Sequence, residues 1–352
     1  MQMSQRTLAG LIAVPLVLVL LLVALLTPLP YVVYRPGMTL DVLGEDQGKP
    51  IVEVSGLPVY PVDGQLRMVT VSVTRPDTKL TLPGLMAAWF DKHDAVYPWS
   101  AVYQSGETDA DSESEGAAQM SSSQDIAAGV ALREDGVDVT AEVSIGSVVT
   151  GSPAAGQLQA GDVIDKVDGE KITSADQLID LVSTTPAGQQ RTFTISRDGV
   201  TSEVSIAPVA DDDGTPRIGA SLAERFLDLP VDVELNIDSD IGGPSAGLMF
   251  SLAIFDTLTP GALTGGHDIA GTGEIATTGA VGEIGGIQQK IAGAHRDGAE
   301  LFLVPPGNCE EALGADNGDM RLVRADTMHD AVEAITTWVA DPKADLPTCE
   351  DQ

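Results

Sequence analysis

The sequence predicts a multidomain α+β protein that begins with a transmembrane helix. A chain of 352 residues has room for two or three domains. Its hydrophobic content of 43% is that of a globular protein and not of a disordered chain. Residues 8–29 form one apolar run, and beyond it short β-branched segments alternate with segments of helical periodicity.

The apolar run 8–29 has the length of a membrane-spanning helix. Because Arg6 and the amino terminus precede it, the positive-inside bias places residues 1–7 in the cytoplasm and the rest of the chain outside the cell membrane. A cleaved signal peptide is the alternative, but residues 27–30 (Thr-Pro-Leu-Pro) offer a poor cleavage site. We therefore expect an uncleaved, single-pass anchor.

The charge of the chain argues against one class of partner. It carries 19 basic and 52 acidic residues, for a net charge of −33. Nucleic acids and anionic lipid surfaces both attract positive charge, so no nucleic acid is expected to bind. A heavily solvated acidic surface is enough to explain this composition, which says little about the substrate.

Cysteine and histidine give no metal-binding pattern. Cys309 and Cys349 could pair in an oxidising compartment or remain two free thiols, and the sequence leaves both open. The four histidines are scattered and lack the spacing of a zinc site. We therefore expect no metal and no cofactor.

The first segment after the apolar run, residues 38–135, is predicted to be β-rich. Residues 51–54 and 68–74 alternate or are β-branched, as strands are. Residues 105–123 lose hydrophobic periodicity and are acidic at every second position from Glu107 to Glu115, which predicts an exposed acidic loop. A short helix is expected to follow it.

Residues 137–209 have the pattern of a self-contained unit of strands, one helix and strands. The turn Gly151-Ser-Pro-Ala-Ala, the segment Leu158 to Ile164 and the hairpin at Asp168 resemble the PDZ domains of bacterial proteases. The resemblance implies that an extended peptide binds as an added strand beside the helix. A spacer that binds nothing is the alternative. Four residues are candidates for the loop that holds a peptide carboxylate: Gly136, Val137, Asp138 and Val139.

The last domain, residues 215–341, contains the strongest candidate for chemistry, and residues 342–352 form a C-terminal tail. Ser245 precedes an apolar helical pattern that is expected to begin near Pro244. At a helix N-terminus, free backbone N–H groups and the positive end of the helix dipole stabilise an oxyanion. A simple turn and cap would have the same local pattern.

Three schemes compete to activate Ser245 as a nucleophile. Gly243-x-Ser-x-Gly247 matches the nucleophile elbow, which needs a strand that runs directly into the serine, and residues 238–243 intervene. The order histidine, aspartate, serine has only His93 upstream. A lysine base is the third scheme, and it requires burial to lower the lysine pKa from about 10.4.

Three motifs then follow one another in a familiar order: Gly243-Pro-Ser-Ala-Gly247, Gly271-Thr-Gly-Glu-Ile275 and Ile284-Gly-Gly-Ile-x-x-Lys290. In order and spacing they resemble the proteolytic domain of Lon proteases. The resemblance implies that Ser245 is the nucleophile, Lys290 the general base and Thr272 a residue that helps to place the lysine amine. The supporting residues before the serine are Gly242, Gly243 and Pro244.

The chain departs from the Lon pattern at two points. Lon enzymes usually carry aspartate where Gly242 stands, and histidines in the strand before the serine. These departures put the details of serine activation and substrate placement in doubt. The resemblance also extends to residues 63–84 and to the helix before residue 137, so we expect the PDZ domain to be inserted into one discontinuous protease domain.

As a whole, the chain resembles the membrane-anchored, PDZ-containing Lon-like proteases. No Gly-x-x-x-x-Gly-Lys-Ser/Thr motif occurs, so no ATPase is expected. The implied function is an ATP-independent serine endopeptidase that cleaves extracytoplasmic peptides or unfolded proteins presented by the PDZ domain. The resemblance also implies a homo-oligomer such as a hexamer. The alternatives are an inert, membrane-anchored PDZ adaptor or chaperone and a histidine-dependent esterase.

Overall fold

The computed structural model describes residues 5–46, 48–211, 213–237 and 241–350, with the side chains of the first helix described from Leu11 onward. The helices of this part of the chain are α1 Gln5–Leu26, α2 Leu82–Phe90, α3 Asp109–Glu134, α4 Ala175–Ser183, α5 Gly247–Leu258, α6 Ile287–Arg296, α7 Cys309–Ala312 and α8 Met328–Ala340.

The strands are numbered in the same way along the chain. The first ten are β1 Tyr31–Asp41, β2 Glu45–Asp46, β3 Lys49–Pro50, β4 Val52–Ser55, β5 Gln65–Val73, β6 Ala95–Pro98, β7 Thr140–Val148, β8 Val163–Val167, β9 Glu170–Lys171 and β10 Arg191–Arg197. The others are β11 Val200–Ile206, β12 Val209–Ala210, β13 Pro216–Arg217, β14 Ala220–Leu227, β15 Asp232–Leu235, β16 Asp268–Gly271, β17 Glu274–Ile275, β18 Val281–Gly282, β19 Leu301–Val304 and β20 Arg321–Arg324.

One sheet combines strands from both ends of the chain. Its order is β20-β19-β16-β5-β1-β6. The pairs β5–β16, β16–β19 and β19–β20 are parallel, while β1 is antiparallel to β5 and β6. Strands that precede the PDZ segment therefore lie beside strands that follow it, as a discontinuous domain requires.

Helices cover this sheet on both faces. Leu301 and Leu303 of β19 join the core that contains α3, α5 and α8, whereas Phe302 and Val304 join the core that contains α6 and Cys309. Successive side chains of a strand point to opposite faces, so a strand buried on both sides reads as a continuous apolar run. The result is a three-layer α/β/α arrangement.

The second sheet has the order β11-β10-β8-β7-β14, with β9 beside β8. It encloses a separate core around Phe193, Ile195 and Leu178. Strand β14 pairs with the whole of β7, from Ala220 opposite Val148 to Leu227 opposite Thr140. The unit expected at residues 137–209 therefore gains one more strand from the following segment.

The prediction of an exposed acidic loop at residues 105–123 is wrong. Helix α3 contains most of that segment together with the short helix that was expected after it. The Thr108 side chain accepts a hydrogen bond from the Asp111 amide, and the Asp111 carboxylate accepts one from the Thr108 amide. Carboxylates in the first turn also interact favourably with the helix dipole, so acidity stabilises this helix end.

Helix α1 contains most of the apolar run that was expected to cross a membrane. The described apolar side chains from Leu11 to Leu26 are mostly more than half exposed. Among the residues that the structure describes, no helix is long and apolar enough to span a membrane. The transmembrane segment 8–29 therefore stays a prediction. The side chains of residues 8–10 are not among those that the structure describes.

The C-terminal tail is held against the domain that contains the first sheet. A disulfide joins Cys309 to Cys349 across 40 positions, which decides between the two states that the sequence left open. Leu346 is buried in the core beside α8, and the Arg324 amide donates to the Pro347 carbonyl. The segment 342–352 is therefore packed where the structure describes it, up to residue 350.

The contact between α3 and β14 predicts the effect of one substitution. A Cβ atom at Gly129 would lie 2.0 Å from the Phe226 ring. We expect Gly129→Ala to lower the free energy of unfolding by up to about 2 kcal/mol, because overpacking costs about 1–3 kcal/mol and the gain in helix propensity offsets about 1 kcal/mol of it. Gly84→Ala in α2 is the control, since nothing lies within 4 Å of its added Cβ. Calorimetric melting should show a lower midpoint for Gly129→Ala only, and an unchanged midpoint would contradict this packing.

Candidate active site

The backbone of Ser245 is fixed by the strand segment that follows β16. Its carbonyl oxygen accepts hydrogen bonds from the Gly273 amide at 2.9 Å and from the Thr272 hydroxyl at 2.9 Å. Helix α5 begins at Gly247, with Ala246 as its N-cap, so it starts later than expected from Pro244. Ser245 thus lies just before the helix.

Thr272 connects this serine to Lys290. The lysine amine donates a hydrogen bond to the Thr272 hydroxyl oxygen at 3.1 Å, and that hydroxyl donates to the Ser245 carbonyl. Thr272 is fully buried, and it directly follows β16 in the middle of the protease sheet. The structure therefore brings the three residues suggested by the Lon resemblance into one connected arrangement.

Lys290 is almost completely buried, with 2% of its surface exposed. It lies on α6 between Ile287 and Ile291, which are both fully buried against the sheet. Burial disfavours the charged ammonium and lowers the pKa of Lys290 from 10.5 to about 7. A large fraction of the amine is therefore neutral near pH 7 and able to accept a proton.

Ser245 and Lys290 line the same cleft, which has a volume of about 880 Å³. One wall consists of residues 69–73 of β5, and the opposite wall is the N-terminal half of α3. Strand β16 ends at Gly271 opposite Met68, so β5 extends beyond its parallel neighbour into the cleft. Four acidic residues line the cleft, Glu107 before α3 and Asp109, Glu113 and Glu115 on it. They outnumber the two basic residues of the lining, Arg75 and Lys290, so the cleft is acidic overall.

Helix α3 contacts the backbone of the two glycines before the serine. The Gly243 amide donates to the Gly116 carbonyl at 2.9 Å, so it is not free to bind an oxyanion. A Cβ atom at Gly242 would lie 3.0 Å from the Gly116 backbone, which makes any side chain there a tight fit. The Pro244 carbonyl accepts a hydrogen bond from the Ser123 hydroxyl at 3.1 Å. Sequence reasoning missed Gly116 and Ser123, because neither belongs to a motif.

The proposed carboxylate-binding loop is not beside the PDZ helix. Gly136 follows the end of α3, and Val137 and Val139 pack against the core of the protease domain. Helix α4 instead contacts β13 and β14. Strand β14, and not residues 136–139, is therefore the candidate for binding a peptide. Its edge on the side away from β7 has no partner strand in the described part of the chain.

No histidine lines the catalytic cleft as far as the structure describes it. His93 is close to Asp316, His267 to Glu300 and His329 to Glu134, each on the outside of the domain. No cluster of potential metal ligands occurs within the described residues either. The geometry around Ser245 thus favours the lysine scheme among the three.

Two families match the chain. Residues 119–207 match the PDZ domain, and residues 238–335 match the Lon protease (S16) C-terminal proteolytic domain. The chain carries a PDZ domain and a Lon-type proteolytic domain. The Lon match starts after the PDZ match ends, and its range contains Ser245, Thr272 and Lys290.

Curated relatives support the Lon-type assignment. The Lon protease of Campylobacter concisus is 37% identical over 133 residues, which cover 36% of this chain and 16% of that protein. The Lon protease of Fusobacterium nucleatum is 46% identical over 66 residues, or 19% of this chain and 8% of that protein. The chain thus spans less than a fifth of these relatives. The PDZ domain of an SdrC-like protein from Listeria innocua is 34% identical and covers 23% of this chain and 92% of its own, with a TM-score of 0.22.

The buried lysine predicts a stability change that does not depend on activity. Folding must bury a charge at low pH, so the neutral Lys290→Met should raise the free energy of unfolding by about 3–5 kcal/mol below pH 7. Between pH 7 and 10.5 the unfolded state binds more protons than the folded state. Wild-type stability therefore rises with pH in this range, and the advantage of the variant should disappear.

Chemical denaturation at several pH values from 6 to 10.5 measures this difference. Lys343→Met, at an exposed lysine near the C-terminus, is the matched control and should change stability little at any pH. If Lys290→Met is less stable than wild type at pH 6, then burial does not disfavour the charged form of Lys290.

Proposed function

We propose that the protein is an ATP-independent serine endopeptidase in which Ser245 is the nucleophile and Lys290 the general base. The observation that carries this proposal is the buried Lys290 amine, hydrogen-bonded to Thr272 in the same cleft that Ser245 lines. Burial supplies a base with a pKa of about 7, near the pH at which a general base works best.

The reaction begins when neutral Lys290 takes the proton of the Ser245 hydroxyl as its oxygen attacks the substrate carbonyl carbon. The resulting lysinium then gives the proton to the leaving amine, and the peptide bond breaks. The acyl group stays on Ser245 until water attacks its carbonyl carbon. Lys290 takes a proton from that water and returns it to the Ser245 oxygen as the acyl–oxygen bond breaks and the acid product leaves. Thr272 holds the amine and the Ser245 carbonyl in one arrangement throughout.

The oxyanion needs backbone donors near Ser245. The amides of Gly243 and Gly247 already donate hydrogen bonds to the carbonyl oxygens of Gly116 and Pro244. Those of Ser245 and Ala246 have no hydrogen-bond partner in the described residues, and they flank the nucleophile. We assign the oxyanion to these two amides, at the start of the helix where the sequence placed the free N–H groups.

The PDZ domain would bind an extended peptide along the free edge of β14. That edge lies beside α4, and main-chain hydrogen bonds to an added strand provide affinity without a folded partner. The protease cleft is also suited to an extended chain, because β5 offers residues 69–73 beyond the end of β16. Unfolded proteins and peptides are therefore the substrate class that both sites accept.

The proposed location is outside the cytoplasmic membrane, with α1 as the anchor. A disulfide such as Cys309–Cys349 persists in oxidising compartments and is rare in the cytosol, which supports this location. The positive-inside bias gives the same orientation. A homo-oligomer is proposed only from the likeness to Lon proteases.

The inert adaptor is the second candidate function. The PDZ domain alone would favour it, whereas the buried Lys290 argues against it, because an inactive protein gains nothing from burying a lysine. The histidine-dependent esterase has no support in the cleft, which no histidine lines among the described residues.

The decisive experiment measures cleavage of casein by the full chain in detergent, without nucleotide. Ser245→Ala and Lys290→Met should each lower kcat/KM by at least about a thousandfold, because each removes one half of a unit that acts together. Lys166→Met, an exposed lysine on β8, is the control and should retain wild-type activity.

The pH profile tests the role of the lysine. Below pH 7 the amine of Lys290 is protonated and cannot accept the serine proton, so kcat/KM should rise with pH through an apparent pKa of about 7 and level off above it. Full activity in Lys290→Met would exclude the dyad. Absence of cleavage by wild type, with peptide still bound, would establish the adaptor.

A further inference from the structure

The carboxylate of Glu224 lies between the PDZ domain and the protease domain. One of its oxygens accepts a hydrogen bond from the amide of Ala175, the first residue of α4. The other accepts hydrogen bonds from the amide of Thr277, at 3.3 Å, and from its hydroxyl. Glu224 belongs to β14, so this single side chain touches both walls of the peptide groove and the protease domain.

Thr277 is held from a second side by α3. The Arg133 guanidinium donates to the Thr277 carbonyl and lies over the Phe226 ring, 4.9 Å from its centroid. Phe226 is two residues from Glu224 on β14. Thr277 is 1% exposed, so its position depends on these contacts and not on solvent.

The segment that ends at Thr277 is the one that holds the nucleophile. Thr277 follows β17, and β17 directly follows Gly273, whose amide donates to the Ser245 carbonyl. Ile275 packs against Gly247 so closely that a Cβ atom at Gly247 would lie 2.8 Å from its side chain. A displacement of Thr277 is therefore carried to Ser245 through the short segment 273–277, in which Gly273, Ile275 and Thr277 are buried.

We propose that Glu224 is a positioning residue that couples peptide binding in the PDZ groove to the catalytic site. A peptide strand that bonds to β14 and packs against α4 fixes the distance between the two walls. This keeps the hydrogen bonds from Ala175 and Thr277 to Glu224 formed, and the Thr277 segment then holds Ser245 in place. An extended polypeptide in the groove is thus an activator as well as a bound substrate.

This inference rests on the proposed endopeptidase and peptide-binding functions and adds a coupling between them. Binding can shift the catalytic arrangement only if the peptide binds the assembled state more tightly than the displaced one. Coupling free energies of this kind change affinity or rate by about 5- to 150-fold. We expect an effect near the lower end, because Glu224 is one contact among several.

The test separates activator from substrate. The substrate is a short, internally quenched peptide, and the activator is a decapeptide with a free C-terminus, selected from an array by its binding to the full chain. With wild type, a saturating amount of the decapeptide should raise kcat about fivefold with little change in KM.

Glu224→Gln tests whether Glu224 couples the two sites, because glutamine has the same size as glutamate. Ala175 and Thr277 donate to different oxygens of Glu224, and glutamine replaces one of these oxygens with an NH2 group, so one of the two donors would face another donor. Activation should fall to less than about 1.5-fold, while fluorescence anisotropy still shows binding of the decapeptide. Thr277→Val removes the hydroxyl donor from the other side and should give the same loss. Glu203→Gln, an exposed position on β11, is the control and should keep the full activation.

Reciprocal binding distinguishes positioning from a purely structural role. A peptide boronate that binds Ser245 reversibly should tighten decapeptide binding by the same factor by which the decapeptide tightens boronate binding. In Glu224→Gln both factors should approach one, whereas a variant that is only less stable would keep them.

The outcomes separate this inference from the function beneath it. If wild type does not cleave, or does not bind the decapeptide, the proposed function fails and the coupling fails with it. If wild type does both and the decapeptide has no effect or inhibits, only the coupling is overturned. Activation that persists in Glu224→Gln and in Thr277→Val would overturn it as well.

Discussion

The burial of Lys290 is the constraint on which the protease domain depends. An ammonium in an apolar interior is unfavourable, so the surrounding elements must exclude water without providing a counter-ion. Desolvation is the cause of the shifted pKa, although the chain carries 52 acidic residues. The one polar partner of the amine in the described residues is the neutral hydroxyl of Thr272. A carboxylate in that place would have favoured the charged ammonium and opposed the lowering of the lysine pKa.

The position of α6 follows from the same constraint. Its N-cap, Gly286, adopts a left-handed conformation with φ of 69°. A Cβ atom there would lie 2.7 Å from Val71 of β5, so only glycine allows the helix to start this close to the sheet. Close packing places Lys290, one turn later, over the central strands and out of contact with water. Gly286 of the lysine motif is thus a structural requirement for the burial of Lys290.

Helix α3 joins the two functional parts of the molecule through small residues. Gly116 contacts Gly242 and Gly243, Ser123 binds Pro244, and Gly129 accommodates Phe226 of β14. A larger side chain at any of these positions would push the helix away from the nucleophile or from the PDZ sheet. The helix is therefore a close-packed bridge, although its sequence has the composition of a solvent-exposed linker.

These contacts show where sequence reasoning succeeds and where it fails. The helix with Lys290, the PDZ hairpin of β10 and β11 and the order of the catalytic motifs could be predicted, because each has strong local periodicity or spacing. The first half of α3 could not, since the acidic and small residues up to residue 123 give no hydrophobic periodicity. The roles of Glu224 and β14 were also invisible, because they depend on contacts between residues that are far apart in the chain.

The topology of the protease sheet determines when this domain can fold during synthesis. Arg67 of β5 bonds to Asp268 of β16 across 201 positions, with the PDZ segment between them. During synthesis, more than half of the chain must be made after β5 before its parallel neighbour β16 exists. The PDZ sheet has short-range pairings and can form earlier. The cleft that Ser245 and Lys290 line is therefore assembled late, when most of the chain has been made.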